Sequence, residues 1–221
     1  MNKRLKNSSN TDKILRINPS DPDPAAIGKA VGVLRRNGVL VFPTTGLYGL
    51  GADAHCVAAV GRVFTIKQRP VHMPLLVILS HIGDMDNLVR QVPDYARPLF
   101  ELWPGGITLI FEADDSVPVG LTGGSGKIGI RLPAHPVAKA LTKAWGGPIT
   151  GTSANRTGGP AVSSVADLDP HVQAQVDLIL DAGDLAGGSG STILDASIWP
   201  PKLIREGAVS QRAVDRAVRI G

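Results

Sequence analysis

Apolar residues fall into two patterns along the chain. Short continuous runs, Val39-Leu40-Val41-Phe42, Leu75-Leu76-Val77-Ile78 and Leu178-Ile179-Leu180, read as buried strands. Between them the spacing turns helical. Asp23-Pro24 supplies an N-cap and a first-turn proline, Ile27, Val31 and Leu34 follow on one face, and Gly38 is expected to end the helix in the C′ position. A second helix is predicted over 57–66, with Val60, Val63 and Phe64 inward; it delivers Lys67-Gln68-Arg69 before Pro70. Two short helices are predicted within 81–102, parted near Pro93. Further strands are predicted at 107–111, 127–131, 148–151, 192–195 and 202–205, and further helices at 136–145, within 163–176 and at 210–219. In the strand 127–131, Lys127 and Arg131 share one face. Helices and strands alternate without repeats or a linker, which predicts one α/β domain over 14–221, a mostly buried mixed sheet flanked by helices.

Glycine marks the ends of several strands. Pro43-Thr44-Thr45-Gly46-Leu47-Tyr48-Gly49-Leu50-Gly51 follows the first apolar run. Open α/β sheets place ligands in such loops, and the residues alone leave a ligand loop and a plain turn both open. Thr152–Pro160 and Gly187–Ser191 are similar polar, glycine-rich stretches, and 114–126 is expected to be a loop.

Composition changes this picture little: of 221 residues, 43% are hydrophobic and 19% charged, ordinary for a globular protein. The net charge of +4 is concentrated at the start. Lys3, Arg4, Lys6 and Lys13 against Asp12 leave residues 14–221 with only +1, so the body is not marked as a nucleic-acid binder. Residues 1–13 lack the apolar region of a signal peptide and are expected to be a disordered basic tail. No apolar run reaches transmembrane length, and the lone Cys56 fits a reducing, cytoplasmic setting.

Two phosphate-loop patterns are decoys. Gly49-Leu50-Gly51-Ala52-Asp53-Ala54 fits G-x-G-x-x-A, but six residues separate its first glycine from the strand. Gly124-Ser125-Gly126-Lys127 is followed by Ile128 where a P-loop needs Ser or Thr. No metal-ligand spacing is visible, and Ser153 lacks the G-x-S-x-G elbow. What remains is distributed: Lys67, Arg69, Lys127, Arg131 and Arg205 as cations, with Thr44, Thr45, Ser153, Asn155 and Ser191 as small donors. Such a set suits a polyphosphate, although surface decoration would leave the same composition.

At these residues the chain resembles the YrdC-like family of threonylcarbamoyl-AMP synthases. Residues 43–54 look like P-T-E-T-x-Y-G-L-G-x-x-A, and Lys67–Pro70 like K-x-R-P, with Pro74-Leu75 after it. Trp103–Thr108 looks like W-P-G-P-x-T, Arg131–Pro136 like R-x-P-x-H-P, and Ser153–Pro160 like S-A-N-x-S-G-x-P. Ser191-Thr192 and Arg205-x-Gly207 close the series. The resemblance spans about 14–207 and implies a twisted mixed sheet with a concave cavity, in a short single-domain form. It implies that L-threonine, bicarbonate and ATP give threonylcarbamoyl-AMP and pyrophosphate, with Mg²⁺ on the phosphates and tRNA reached through a downstream transferase. By the same resemblance Lys67, Arg69, Lys127, Ser153, Asn155 and Arg205 would hold the nucleotide, with Lys67 and Arg69 catalytic. Thr44, Thr45, Tyr48, Arg131, Gly151 and Ser191 would hold the amino acid.

Several positions depart from the pattern. Thr45 and Gly46 stand for Glu and Thr, Met73 for Asn, Ile78 for His, and Lys127 and Ala161 for Thr and Ser. The amino-acid side departs more than the nucleotide side, and Glu206 leans toward the YciO-like branch. Two alternatives are a member diverged toward another amine or toward nucleotide binding alone, and a double-stranded RNA or tRNA-binding module. Only 4% of residues are aromatic, which offers an RNA little to stack on.

Overall fold

The computed structural model describes residues 13–219. Residues 1–12 of the expected tail lie outside the described residues; Lys13 donates from Nζ to the Ala174 carbonyl at 2.7 Å. The described residues form eleven strands: β1 (Ile14–Arg16), β2 (Leu40–Pro43), β3 (Tyr48–Gly51), β4 (Val77–Ile78), β5 (Ile107–Glu112), β6 (Lys127–Arg131), β7 (Ile149–Thr150), β8 (Thr152–Ser153), β9 (Leu178–Asp181), β10 (Thr192–Asp195) and β11 (Lys202–Arg205). Six α-helices accompany them: α1 (Pro24–Arg35), α2 (Val57–Lys67), α3 (Val119–Thr122), α4 (Pro136–Trp145), α5 (Pro170–Gln175) and α6 (Gln211–Arg219). The two short helices expected within 81–102 are 3₁₀ segments, Ile82–Met85 and Asp94–Leu102.

The expected single sheet is two mixed sheets. One runs β1-β9-β2-β3-β8 and the other β11-β10-β5-β6-β4-β7. The strand expected at 148–151 is where they part. β7 pairs antiparallel with β4, β8 pairs antiparallel with β3, and Gly151 carries the chain between them. Gly151 donates its N–H to the Leu76 carbonyl at 2.9 Å. A Cβ there would lie 2.4 Å from Ile78 Cγ1 and 2.8 Å from Leu76 Cδ1, so the crossing needs glycine.

The stretch 43–51 is half strand rather than loop. Tyr48–Gly51 pairs antiparallel with Leu40–Pro43, Pro43 opposite Tyr48, which leaves only residues 44–47 as a turn. The glycines that signal a loop serve packing here, since a Cβ on Gly51 would lie 2.8 Å from the Phe42 ring.

Alternation along β2 divides the core. Leu40 and Phe42 pack with α1 and α4, together with Ile27, Leu34, Val137 and Leu141. Val39 and Val41 face the second cluster, shared with Leu109, Phe111, Ile128 and Ile130 of the other sheet. Helix α1 begins as expected: Asp23 accepts the Ala25 N–H at 2.9 Å. It ends one residue early, because Asn37 (φ 58°) takes the left-handed position expected of Gly38. Asp23→Ala is expected to cost about 1 kcal/mol in urea unfolding, the usual loss for an N-cap acceptor.

Candidate active site

The six-stranded sheet buries one face in the core and opens the other to a cavity of about 670 Å³. Period-two alternation selects the floor: Lys127, Gly129 and Arg131 from β6, Thr108 and Ile110 from β5, Ile193 and Asp195 from β10. The walls are the β2–β3 hairpin, residues 69–76 after α2, the crossing at 151–153 and the glycine-rich segment 189–191. The expectation from β6 alone, that Lys127 and Arg131 face the same way, is met in this floor.

Arg131 is 8% exposed. Its Nε donates to the Gly105 carbonyl at 2.9 Å and its Nη2 to Thr45 Oγ1, and the described residues supply no partner to Nη1. Burial, and then the neighbouring Arg205 charge, lower its pKa to about 10, which leaves it charged at neutral pH. Beside it, Ser191 Oγ and Thr108 Oγ1 share a hydrogen bond of 2.9 Å. Arg205 donates from Nη2 to the Ser191 carbonyl at 2.7 Å. Arg69 donates to the Met73 (3.2 Å) and Pro74 (2.8 Å) carbonyls, and burial pushes its pKa below the ordinary guanidinium value.

Nine residues expected at the site line this cavity: Thr44, Tyr48, Arg69, Lys127, Arg131, Gly151, Ser153, Ser191 and Arg205. Three do not line it: Lys67 and Asn155 are buried, and Thr45 is exposed. Lys67 is 2% exposed, and its ammonium donates to the Ser153 carbonyl (2.6 Å), the Asn155 carbonyl (2.8 Å) and Asn155 Oδ1 (3.1 Å). Its own carbonyl accepts the Thr157 N–H at 2.7 Å, so Lys67 ties α2 to the 153–157 loop. Burial, and then the Arg69 charge, lower its pKa to about 7. Asn155 is equally committed: Oδ1 accepts the Ser153 hydroxyl at 2.5 Å, and Nδ2 donates to the Gly159 carbonyl. Thr45 acts through Arg131, as its acceptor.

Two hydroxyls on the hairpin are spent on backbone, one within the turn and one across the sheet. Thr44 Oγ1 donates to the Leu47 carbonyl at 2.6 Å and closes the turn. The Tyr48 phenol lies at the end of β9, donating to the Gly183 carbonyl (2.7 Å) and accepting the Ala182 N–H (3.0 Å). Burial first, and then the Asp181 and Asp184 charges, hold its pKa up at about 12. The phenol therefore offers the cavity no free hydrogen bond, and Tyr48 contributes wall alone.

The departures have physical explanations. A Cβ at Gly46 would lie 2.2 Å from the Gly187 carbonyl oxygen, and the Gly46 carbonyl accepts the Gly187 N–H at 2.9 Å. Backbone of the 187–191 segment thus fills the place of a side chain at 46. Ile78 is 1% exposed and packs against the bare face of Gly151. Met73 turns the wall beside Arg69 apolar.

Sequence reasoning missed Asp195, a carboxylate on the cavity floor. It accepts from Lys127 Nζ at 2.8 Å through Oδ2, and from the Ser197 N–H (3.0 Å) and hydroxyl (2.6 Å) through Oδ1. Despite burial, these donors hold its pKa below the usual carboxylate value. The available signal was strand alternation, which puts residues 191, 193 and 195 on one face. Thr108, opposite Ile193 on β10 and hydrogen-bonded to the Ser191 hydroxyl, was equally readable from β5.

The family model Sua5_yciO_yrdC, described as "Telomere recombination", matches residues 32–207. The threonylcarbamoyl-AMP synthase of Pyrococcus abyssi is 33% identical over 190 residues, 86% of this chain and 56% of that protein. The protein of the same name from Xanthomonas axonopodis pv. citri is 36% identical over 177 residues, 79% of this chain and 95% of that one. The chain therefore spans little more than half of the Pyrococcus relative and nearly all of the Xanthomonas one. Among solved structures, P. abyssi Sua5 complexed with L-threonine superposes with a TM-score of 0.86 at 32% identity, covering 92% of this chain and 60% of that one. E. coli YciO superposes at 0.82 and 28% identity, covering 90% and 98%. Among the described residues, no helix is long and apolar enough to cross a membrane.

Proposed function

The chain belongs to the Sua5–YciO–YrdC family, and from that membership we propose that it makes threonylcarbamoyl-AMP from L-threonine, bicarbonate and ATP. The product would serve N6-threonylcarbamoyladenosine modification of tRNA through a separate transferase. The observation that carries the reading is the convergence of three guanidinium groups, Arg69, Arg131 and Arg205, on one cavity large enough for a nucleotide and an amino acid.

The chemistry asks the protein for positions rather than for a nucleophile. The threonine amine takes up carbon dioxide from bicarbonate, with loss of water, and becomes a carbamate. A carbamate oxygen attacks the α-phosphorus of ATP, the new P–O bond forms, the bond to the β-phosphate oxygen breaks, and pyrophosphate leaves. Charge accumulates on phosphate oxygens, and fixed cations lining the cavity would stabilise it.

Arg131 would take the amino-acid carboxylate through Nη1 and Nη2, with Ser191 and Thr108 presenting hydroxyls beside it. Thr45 would keep that fork oriented, and Thr44, Tyr48 and Gly151 would shape the surrounding wall. Arg69, Ser153 and Arg205 would contact the phosphates. Lys67 and Asn155 would act from behind, holding the 153–157 loop. Mg²⁺ would arrive on the triphosphate and shield its charge; among the described residues no group of three or more potential ligands is placed to hold a metal.

Titration calorimetry with ATP and with threonine, each alone, tests the assignment of both ligands to this cavity. Wild type is expected to bind both. Lys67→Ala is expected to weaken ATP about tenfold, through a loosened 153–157 loop, and to leave threonine within about threefold. Equal loss of both, or binding of neither ligand to wild type, would overturn it.

A further inference from the structure

Helices α1 and α4 pack together against Leu40 and Phe42 of β2, in the five-stranded sheet. Between them runs an open groove of about 600 Å³ that shares no lining residue with the cavity. Its lining is mostly apolar. Ile27 and Val31 of α1 are nearly buried beneath it, and Ala140 and Ala144 of α4 lie alongside. Gly28 also lines it, and a Cβ there would meet no neighbouring atom within 4 Å. The charged lining is cationic: Arg35 from one helix and Lys143 from the other.

Charge on this pair of helices is one-sided. Lys29, Arg35, Arg36, Lys139 and Lys143 are all exposed, and neither α1 nor α4 contains Asp or Glu. Among the described residues none of the five makes an ion pair. The acidic residues next in sequence, Asp21 and Asp23, precede α1, and Asp23 caps it through the Ala25 N–H. Residues 14–221 carry only +1, so the body without these five cations is net negative. A cation in a last turn complements the helix dipole, which accounts for Arg35 and Lys143. Lys29 and Lys139 lie too far from the helix ends for that, so the sign of the face is not a matter of capping.

We infer that the α1–α4 groove is a docking site for an amphipathic helix of a partner protein, with apolar residues on one face and carboxylates along its flanks. The inference is independent of the reaction proposed above. Two packed helices leave a furrow in which the ridges of a third can seat, and helices bound in grooves are held by apolar anchors spaced three and four residues apart. Gly28, Ala140 and Ala144 keep the sides of the furrow low, so a third helix can approach closely. Ile27 and Val31 give its anchors an apolar seat. Carboxylates on its flanks would meet Arg35 and Lys143, whose charges the described residues leave unpaired. A phosphate backbone would use the cations and leave the apolar lining idle, whereas a helix of this kind uses both.

The probe is a synthetic helical peptide of about sixteen residues, with Leu at i, i+4, i+7 and i+11 and Glu on both flanks. Calorimetry is expected to show binding that weakens about tenfold between about 0.05 and 0.3 M salt. Arg35→Glu combined with Lys143→Glu is expected to weaken the peptide at least about tenfold. Gly28→Leu fills the groove and favours the helix; it is expected to weaken the peptide as much, with Tm unchanged or raised. Serine in place of the peptide's leucines is expected to cost about tenfold as well. No binding of the Leu/Glu peptide, equal binding of the serine version, or an affinity unmoved by these variants would overturn the inference. An RNA duplex that binds wild type more tightly than the peptide, and that is lost in the double charge reversal but kept in Gly28→Leu, would also overturn it and assign the face to nucleic acid.

Discussion

Arg131→Ala is expected to weaken threonine by at least about a hundredfold while ATP binding falls far less. The guanidinium is nearly buried, and at a pKa of about 10 it is charged throughout the neutral range. Truncating one partner of a buried, hydrogen-bonded charge pair costs roughly 2–5 kcal/mol of binding, which sets the size of the effect. The fork is held before any ligand arrives, by the Gly105 carbonyl and by Thr45, so a carboxylate meets an oriented donor pair. Arg131→Lys is not expected to rescue binding, since a point charge cannot satisfy two acceptors and a carboxylate with one geometry. Separate calorimetric titrations of threonine and ATP read the split.

Gly46→Thr restores the residue more usual at that position, and it is expected to damage the protein. The added Cβ would meet the Gly187 carbonyl oxygen at 2.2 Å, a backbone atom that cannot rotate away. Either the hairpin turn or the 187–191 segment must move, at the cost typical of overpacking, about 3 kcal/mol. For a chain of this length that is a loss of about 6–12 °C in Tm. The same displacement pulls Ser191 and its neighbours from the cavity wall, so threonine affinity is expected to fall together with stability. A Gly46→Thr protein as stable as wild type would show that the hairpin and the glycine segment are not in contact.

That contact explains why the opening hairpin was only half readable from sequence. Its strand residues and its departures were visible, but the reason for Gly46 lies about 140 residues further on. Tyr48 is a similar case. Its place in the chain is plain from the local pattern, while its hydroxyl is engaged by Ala182 and Gly183, across a sheet pairing no local rule specifies. Non-local pairing also hid the division into two sheets, which turns on one residue, Gly151. The floor of the site was more legible. Period-two alternation placed Lys127 and Arg131 together, and the same rule applied to β10 would have added Asp195. Lys67 marks the limit of motif reading, since the motif supplies the residue but not the three acceptors that hold its ammonium behind the wall.

The most direct test supplies purified protein with ATP, bicarbonate and threonine, and follows pyrophosphate together with the adenylate product. Release that requires all three substrates, with one threonylcarbamoyl-AMP formed per pyrophosphate, is the result predicted here. Pyrophosphate release that is indifferent to threonine, or that needs a different amine in its place, would contradict it.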